Sequence, residues 1–187
     1  MPGRIRAATA LAVWLAGIPV EAAADAQHRT VRARTQISAW FTPDEDAAAR
    51  LLEAIAAARE EVLVQAFLFT NRRIAAALTR VRQRGVRVQV ILDREQFQTG
   101  ETVLAQELLD AGVTVFLDGQ HAAAHNKIII IDGSSAAPTV VTGSFNFTVA
   151  AQQRNAENLL IIHGNRPLAQ RYRANWQTHL EHSDRLP

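Results

Sequence analysis

Short apolar runs alternate along the chain with stretches in which apolar residues recur every three or four positions. Short apolar or alternating runs are typical of β-strands, and the three-to-four spacing is typical of amphipathic helices. The pattern predicts strands at residues 31–41, 62–69, 87–92, 113–117, 127–131, 139–142 and 158–162. It predicts helices after the turn at 42–44 and at residues 73–84, 102–110 and 166–182. This alternation indicates an α/β fold, in which helices cover both faces of a mixed central sheet in an α–β–α sandwich.

The first 26 residues have the layout of a secretory signal peptide. Two arginines precede an apolar run at residues 7–20, and the small residues that follow allow cleavage after Ala24 or Ala26. A helix over that run would be about 21 Å long, which is short of the roughly 30 Å hydrocarbon core of a bilayer. We therefore favour a cleaved signal at residues 1–26 over an uncleaved anchor. We expect a single domain at residues 27–187, in a bacterial protein that is periplasmic or secreted and has no stable membrane insertion after cleavage.

The composition excludes several kinds of chemistry. The chain has no cysteine, so a disulfide scaffold, a zinc–thiolate site, an iron–sulfur cluster and a cysteine nucleophile are all excluded. The formal net charge of +2 comes from 20 basic and 18 acidic side chains, and it is too small to indicate nucleic-acid binding by itself. All of the basic residues are arginine except Lys127.

Several arginines lie in and beside the predicted helix 73–84. They are Arg72, Arg73, Arg80, Arg82, Arg84 and Arg87. Such a group could bind a phosphate backbone, or it could be the solvated face of a helix. Taken alone, the pattern favours the solvated face, because few aromatic residues lie among the arginines to stack on bases.

The residues with catalytic potential are concentrated between the fifth and seventh predicted strands. His125 and Lys127 are two apart at the start of the strand 127–131, and side chains at this spacing point to the same face of a strand. Charged groups at the end of a buried strand need a partner or a function. A second polar cluster, Gly143-Ser144-Phe145-Asn146, follows the next strand, and Glu157 opens the strand after it.

These residue types can together hydrolyse a phosphodiester without a metal ion. Histidine can act as a nucleophile or as a general acid and base. Lysine and an asparagine amide can hold the non-bridging oxygens of a phosphoryl group and stabilise the charge that develops there. Glutamate can hydrogen-bond the far nitrogen of a histidine and fix its tautomer. The pattern favours a phosphodiesterase with no cofactor and no metal ligand over a buried structural histidine and an edge lysine.

The pattern H-x-K-x4-D at His125, Lys127 and Asp132, followed by G-S-x-N at 143–146, resembles the signature of the phospholipase D superfamily. One copy of the pattern occurs, and Glu157 also matches the family. A short exported chain with one copy is most similar to the small bacterial endonucleases of this family. The resemblance implies a phospholipase D-like fold for the mature chain and a non-specific endonuclease that hydrolyses DNA and could also hydrolyse RNA. Asp132 would mainly support the geometry of the motif.

The resemblance also implies a role for each of the other site residues. His125 would attack phosphorus and form a phosphohistidine, and Glu157 would orient it. Lys127 and Asn146 would clamp the phosphate oxygens, and Ser144 would support that pocket. The chemistry of the family needs two histidines, so a homodimer would bring two copies of the motif together in one shared site.

Two other functions remain open. The constellation recognises a phosphate group and little else, so a phospholipase D that acts on phospholipid headgroups is chemically possible. A non-catalytic nucleic-acid-binding protein could also have kept the phosphate site, although the complete set of site residues argues against it.

The remaining histidines give weaker signals. His121 and His125 are four apart, which would suit two metal ligands on a helix, but the isoleucines after them favour a strand. We expect His121 in a loop near the mouth of the site. His163, His179 and His182 have no cluster of acidic residues around them in the sequence, and we expect them at the surface or at a helix end.

Overall fold

The most apolar runs of the sequence form the middle of one β-sheet. The structure, a computed structural model, describes residues 35–100 and 104–187. The strands in this part of the chain are β1 (Gln36–Thr42), β2 (Glu61–Ala66), β3 (Arg87–Asp93), β4 (Thr114–Asp118), β5 (Lys127–Ile131), β6 (Thr139–Gly143), β7 (Glu157–His163) and β8 (Ser183–Arg185). The helices are α1 (Ala47–Ala56), α2 (Arg72–Gln83), α3 (Arg94–Gln98), α4 (Ala105–Asp110), α5 (Val149–Gln153) and α6 (Arg166–Glu181).

The sheet is mixed, with the strand order β1-β7-β6-β5-β2-β3-β4-β8. β2, β3 and β4 are parallel because α2 crosses from β2 to β3, and α3 and α4 cross from β3 to β4. The other neighbours are antiparallel. As a result, the carboxyl ends of β1, β2, β3, β4 and β6 lie at the same edge of the sheet as the amino ends of β5 and β7. We call this the upper edge and the opposite one the lower edge.

Helices cover both faces of the sheet. Ile129 and Ile131 of β5 lie in the main core, which includes residues of α1 and α2, and Ile128 and Ile130 pack against Trp176 of α6. The indole N–H of Trp176 also donates to a main-chain carbonyl of β2 at 3.0 Å, which joins α6 to the sheet. The α–β–α sandwich predicted from the hydrophobic pattern is confirmed.

The predicted elements are present, with ends that differ by a few residues. The helix predicted at 102–110 is α4, and residues 101–103 lie outside the described residues. The elements α3, α5 and β8 were not predicted, because none exceeds five residues and a hydrophobic period cannot be recognised over so short a stretch. The side chains of Asp93 and Thr148 cap α3 and α5 by accepting main-chain N–H groups.

The predicted signal peptide at residues 1–26 lies outside the described residues, as does the start of the first predicted strand. Among the helices that the structure describes, none is both long enough and apolar enough to cross a membrane.

Candidate active site

The upper edge of the sheet brings together most of the predicted site residues. Lys127 begins β5, Ser144 follows the last residue of β6, and Glu157 begins β7. These three strands are neighbours in the sheet. Residues far apart in the sequence therefore meet because antiparallel pairing places one strand's start beside the next strand's end.

His125 and Lys127 lie against the same aromatic ring. The ring of His125 is 4.4 Å from that of Phe67, centroid to centroid, and the ammonium group of Lys127 lies 5.0 Å from the Phe67 centroid. Lys127 is only 7% exposed, and its Nζ donates to the main-chain carbonyl of His125 at 2.8 Å. Burial lowers the pKa of Lys127 from the ordinary value, while the nearby carboxylate of Glu157 partly opposes this effect. The imidazole of His125 is exposed, so it is accessible to substrate.

The Gly143-Ser144 turn is held tightly against β7. The main-chain N–H of Ser144 donates to the carbonyl oxygen of Asn158 at 3.1 Å. A Cβ atom at Gly143 would lie 2.3 Å from that same oxygen, and Gly143 has a φ of +150°. Only glycine can occupy this position without displacing β7. The Ser144 hydroxyl donates to Glu157 Oε2 at 2.6 Å and accepts the N–H of Asn158 at 3.0 Å, so the serine, the acid and the strand form one network.

Asn146 is held in place through its main chain, and its side-chain oxygen forms no hydrogen bond among the described residues. Its carbonyl oxygen accepts the N–H of Thr148 at 2.7 Å, and the next carbonyl, of Phe147, accepts the N–H groups of Thr70 and Asn71. The Oδ1 atom of Asn146 is buried, with no hydrogen-bond partner among the described residues. An amide positioned in this way can still donate to a phosphate oxygen.

Within one chain, Glu157 contacts Ser144 and Asn155 rather than His125, so its predicted role of orienting His125 stays a prediction. Its carboxylate accepts hydrogen bonds from Ser144 and from the side-chain amide of Asn155, at 2.6 and 2.9 Å. No hydrogen bond joins it to His125 in the described part of the chain. Its observed contacts support the Ser144 hydroxyl, and its charge favours the protonated form of Lys127.

Asp132 lies far from the other motif residues. It follows the last residue of β5 at the lower edge, and five residues of strand separate it from Lys127 by about 16 Å. Its carboxylate accepts the main-chain N–H groups of Arg59, Glu60 and Glu61 at 2.8–3.2 Å. Asp132 therefore lies apart from the residues at the upper edge, and its hydrogen bonds connect the end of β5 to the start of β2.

The arginines near α2 do not form one surface. Arg72 and Arg73 lie at the start of α2, at the upper edge, whereas Arg82 is about 15 Å away along the helix. Arg82 donates to the Gly112 carbonyl, and Arg84 donates to two main-chain carbonyls, one at the end of α1 and one just after it. The arginines toward the end of α2 therefore lie away from the site, and two of them have structural partners.

The structure corrects the expectation for His179 and His182. Asp118, at the end of β4, is 1% exposed, and its Oδ2 lies 2.7 Å from His179 Nδ1 and 3.3 Å from His182 Nε2. His121 completes a cluster whose possible ligand atoms all lie within 4.8 Å of one another. The expectation that these helix-end histidines have no acidic neighbour is wrong, because the acid comes from a strand about 60 residues earlier. The three-residue spacing of His179 and His182 was the only sequence signal.

Comparison with known proteins agrees with this geometry. A family model described as "Cardiolipin synthase, PLD-like domain" matches residues 51–180. The phospholipase D of Rickettsia prowazekii is 39% identical over 143 residues, which cover 76% of this chain and 67% of that protein. Nuc from Salmonella typhimurium, a phospholipase D family member, matches with a TM-score of 0.76 and 29% identity, over 81% of this chain and 98% of that chain. NucT from Helicobacter pylori matches with a TM-score of 0.72 and 27% identity, over 80% of this chain and 98% of that chain. Because the matched segment contains every motif residue from His125 to Glu157, the chain belongs to the phospholipase D family and is a phosphodiester hydrolase of that family.

Proposed function

We propose that the protein is a non-specific endonuclease that hydrolyses DNA through a phosphohistidine, without a catalytic metal ion, in the shared site of a homodimer. The observation that supports this most directly is the arrangement of an exposed histidine and a buried lysine at the same edge of the sheet as an asparagine whose side-chain oxygen has no partner among the described residues. We further propose that residues 1–26 are a signal peptide and that the mature enzyme acts in the periplasm or outside the cell.

The proposed reaction has two displacement steps at phosphorus. A nitrogen of the His125 imidazole attacks the phosphorus, the P–N bond forms, and the P–O bond to the leaving group breaks. His125 of the partner subunit donates the proton that the leaving oxygen needs. Water then attacks the phosphohistidine, and the P–N bond breaks. His125 of the partner subunit, which has given up its proton, takes the proton from that water. Lys127 and Asn146 stabilise the phosphoryl oxygens in both steps.

A homodimer is proposed because the reaction needs a second imidazole. Within residues 35–100 and 104–187, only His125 lies in the site. His121, His179 and His182 surround Asp118, and His163 bonds Thr139 at the lower edge.

The outer strand β1 offers a surface for a second copy. Ile37 and Phe41 are 65% and 58% exposed, and they point to the same face of the strand. Phe41 is paired in register with Asn158, next to Glu157. A second copy docked on this surface would therefore cover exposed apolar area beside the site.

Cations beside the site favour a nucleic acid over a phospholipid. A groove of about 360 Å³ between the start of α2 and α5, which begins three residues after Asn146, is lined in part by Arg72, Arg73 and Gln152. Arg72 pairs with Glu107, whereas the guanidinium group of Arg73 has no side-chain partner within the described residues. A nucleic-acid strand carries many phosphates, so an arginine beside the site can bind a phosphate other than the one that is cleaved. A phospholipid with a single phosphodiester gains little from such an additional arginine.

The proposal is tested by measuring DNA cleavage in excess EDTA with wild-type protein and His125→Asn. We expect EDTA-resistant cleavage by the wild type and a loss of at least about 1000-fold in His125→Asn, because the nucleophile is absent. His163→Asn is the matched control, since it changes an exposed histidine of β7 outside the site. Full cleavage by His125→Asn would overturn the catalytic assignment.

Phospholipid hydrolysis is the second candidate. Exposed Phe41 and Val149 lie beside the site residues and could contact a lipid surface, and the relative in Rickettsia prowazekii is named a phospholipase D. Release of choline from phosphatidylcholine vesicles, with no cleavage of DNA, would establish this function instead.

A further inference from the structure

The histidine cluster around Asp118 lies outside the proposed catalytic machinery. Asp118 ends β4, His121 lies in the loop from β4 to β5, His179 lies in the last turn of α6, and His182 caps that helix. Three strand spacings separate Asp118 from Lys127 along the upper edge, which corresponds to about 14 Å. An ion with bonds of about 2 Å could not contact both places.

The Asp118 carboxylate is positioned as a ligand would be. Its Oδ1 accepts the main-chain N–H of Gln120 at 3.1 Å, which fixes the plane of the carboxylate. Its Oδ2 is directed at two imidazole nitrogens, those of His179 and His182. A buried carboxylate held by one oxygen and facing several imidazoles with the other resembles the arrangement around protein-bound metal ions.

The three imidazoles form a nearly regular triangle. Ring centroids are 5.2 Å apart for His121 and His179, 5.4 Å for His121 and His182, and 5.2 Å for His179 and His182. Imidazoles this close together can each direct a nitrogen lone pair at a cation at the centre of the group.

The spacing of the ligand atoms suits a small tetrahedral ion. All four possible ligand atoms lie within 4.8 Å of one another, and bonds of 2.0–2.1 Å to tetrahedral zinc place ligands about 3.3 Å apart. The contacts of Asp118 with His179 and His182 are already 2.7 and 3.3 Å. A small rotation of His121, which is exposed, would close the fourth position.

The nearby positive charge is already paired. Arg94 packs against Gly119 in the same loop, and its guanidinium group forms an ion pair with Asp184 and donates to the carbonyl of Leu117. This pairing reduces the repulsion that Arg94 would exert on a cation in the cluster.

We propose that Asp118, His121, His179 and His182 bind one Zn²⁺ ion in a closed structural site. Three nitrogens and one carboxylate oxygen form a ligand set that zinc accepts, and a fourth protein ligand leaves no open position for substrate. The ion would join β4 and the β4–β5 loop to the end of α6, which lies about 60 residues later in the chain. It would thereby hold β8 on the sheet edge, where Ser183 pairs with Asp118.

The same ion would steady the loop that carries the catalytic histidine. His121 is four residues before His125, and the N–H of Ala124 between them donates to the buried carboxylate of Asp93 at 2.7 Å. The loop would then be fixed at two points, by the ion at His121 and by Asp93 at Ala124. The proposed zinc site is thus structural, and it is independent of the chemistry at phosphorus.

The test uses untagged full-length protein, purified without chelators and without metal-affinity resin. We expect about one zinc per chain by elemental analysis. Added Zn²⁺ should raise the melting temperature of chelator-treated protein by about 5 °C or more. Co²⁺ in place of zinc should give the strong visible absorption of a tetrahedral site, which a hydrogen-bonded histidine cluster would not produce.

Variants identify the ligands. His121→Ala should lower zinc affinity at least about 100-fold, yet it leaves the contacts of Asp118 with His179 and His182 intact and should fold. Asp118→Asn, which keeps the shape of the side chain, should also lower the affinity. His163→Ala and His125→Ala should both bind zinc as the wild type does.

Two results would overturn the proposal. One is a zinc content below about 0.1 per chain together with no effect of Zn²⁺ on the melting temperature. The other is zinc binding that survives His121→Ala and is lost in His125→Ala, which would place the ion in the catalytic site. The second result would also contradict the metal-free mechanism, whereas the first would leave that mechanism unaffected.

Discussion

Asp132 belongs to the sequence motif but lies at the lower edge of the sheet, so its replacement should affect stability and leave the chemistry nearly unchanged. The test compares Asp132→Asn with Asp132→Ala. The first keeps an amide oxygen in the position of Oδ1, and the second removes every acceptor. Because Asp132 has a φ of 50°, asparagine also suits its backbone better than alanine does.

The expected magnitude follows from the contacts of the carboxylate. Oδ1 accepts the N–H groups of Glu60 and Glu61 at 2.8 and 3.0 Å, and Oδ2 accepts that of Arg59 at 3.0 Å. Hydrogen bonds to a charged acceptor contribute about 1.5–3 kcal/mol each, and the lower value applies to a half-buried group. We expect the free energy of unfolding to fall by about 2 kcal/mol in Asp132→Asn, which loses one acceptor and the charge. Asp132→Ala loses all three acceptor contacts and places alanine in a left-handed backbone conformation, so the loss should be about 5–6 kcal/mol.

The assay measures both stability and turnover in the same protein samples. Denaturant midpoints should fall in the order wild type, Asp132→Asn, Asp132→Ala, and melting temperatures should fall by about 2–4 °C for each kcal/mol. The value of kcat/KM for bis-p-nitrophenyl phosphate, measured well below the melting temperatures, should stay within about threefold of the wild type. Glu53→Gln is the control, because its exposed ion pair with Arg50 contributes less than about 0.5 kcal/mol. A wild-type denaturant midpoint combined with a 100-fold loss of kcat/KM would refute the reasoning.

Three further predictions concern the upper edge. Gly143→Ala should lower the free energy of unfolding by about 3 kcal/mol and reduce turnover, because its Cβ would lie 2.3 Å from the Asn158 carbonyl oxygen. Gly85→Ala, where a Cβ meets no atom within 4 Å but φ is +91°, should cost only about 1–2 kcal/mol in denaturant titration. Because burial lowers the pKa of Lys127, kcat/KM should fall as the pH rises through a value below 10.5, and Lys127→Arg should lose about 100-fold in kcat/KM and show no such alkaline decrease. Arg73→Ala should reduce the slope of log Kd against log salt for DNA by about 1, and Arg80→Ala, at the other end of α2, should leave the slope unchanged.

The hydrophobic pattern predicted the layers because strands and helices each have a characteristic short period that can be recognised locally in the sequence. The isoleucines of β5 show this clearly, since alternate side chains of a strand point to opposite faces and the two alternate pairs pack in different hydrophobic clusters. Short elements such as α5 carry too little sequence for a period, and they form where Thr148 caps the chain after the Asn146 turn.

The sequence predicted which candidate site residues meet at the upper edge for His125 and Lys127, but not the contacts of Asp132 and Glu157. His125 and Lys127 are close in sequence, so strand parity placed them on one side, and Phe67 then supports both. Asp132 and Glu157 are different, because their partners are main-chain N–H groups from the loop before β2 in one case and Ser144 in the other. Those contacts depend on which strands become neighbours, which no local pattern specifies.

If the proposed zinc site exists, a loss of DNA cleavage in EDTA does not by itself show that the catalytic site needs a metal ion. A chelator could reduce activity by removing a catalytic ion, or by removing the ion at Asp118 and loosening the loop that ends at His125. The variant His121→Ala separates these causes, since it mimics removal of the structural ion without a chelator. If the chemistry is metal-free, any sensitivity of the wild type to EDTA should disappear in His121→Ala, whose remaining activity should equal that of EDTA-treated wild-type protein at the same temperature. If a catalytic ion is required, His121→Ala should lose its remaining activity when EDTA is added. The metal-free mechanism is therefore tested most sharply in a protein from which the second site has already been removed.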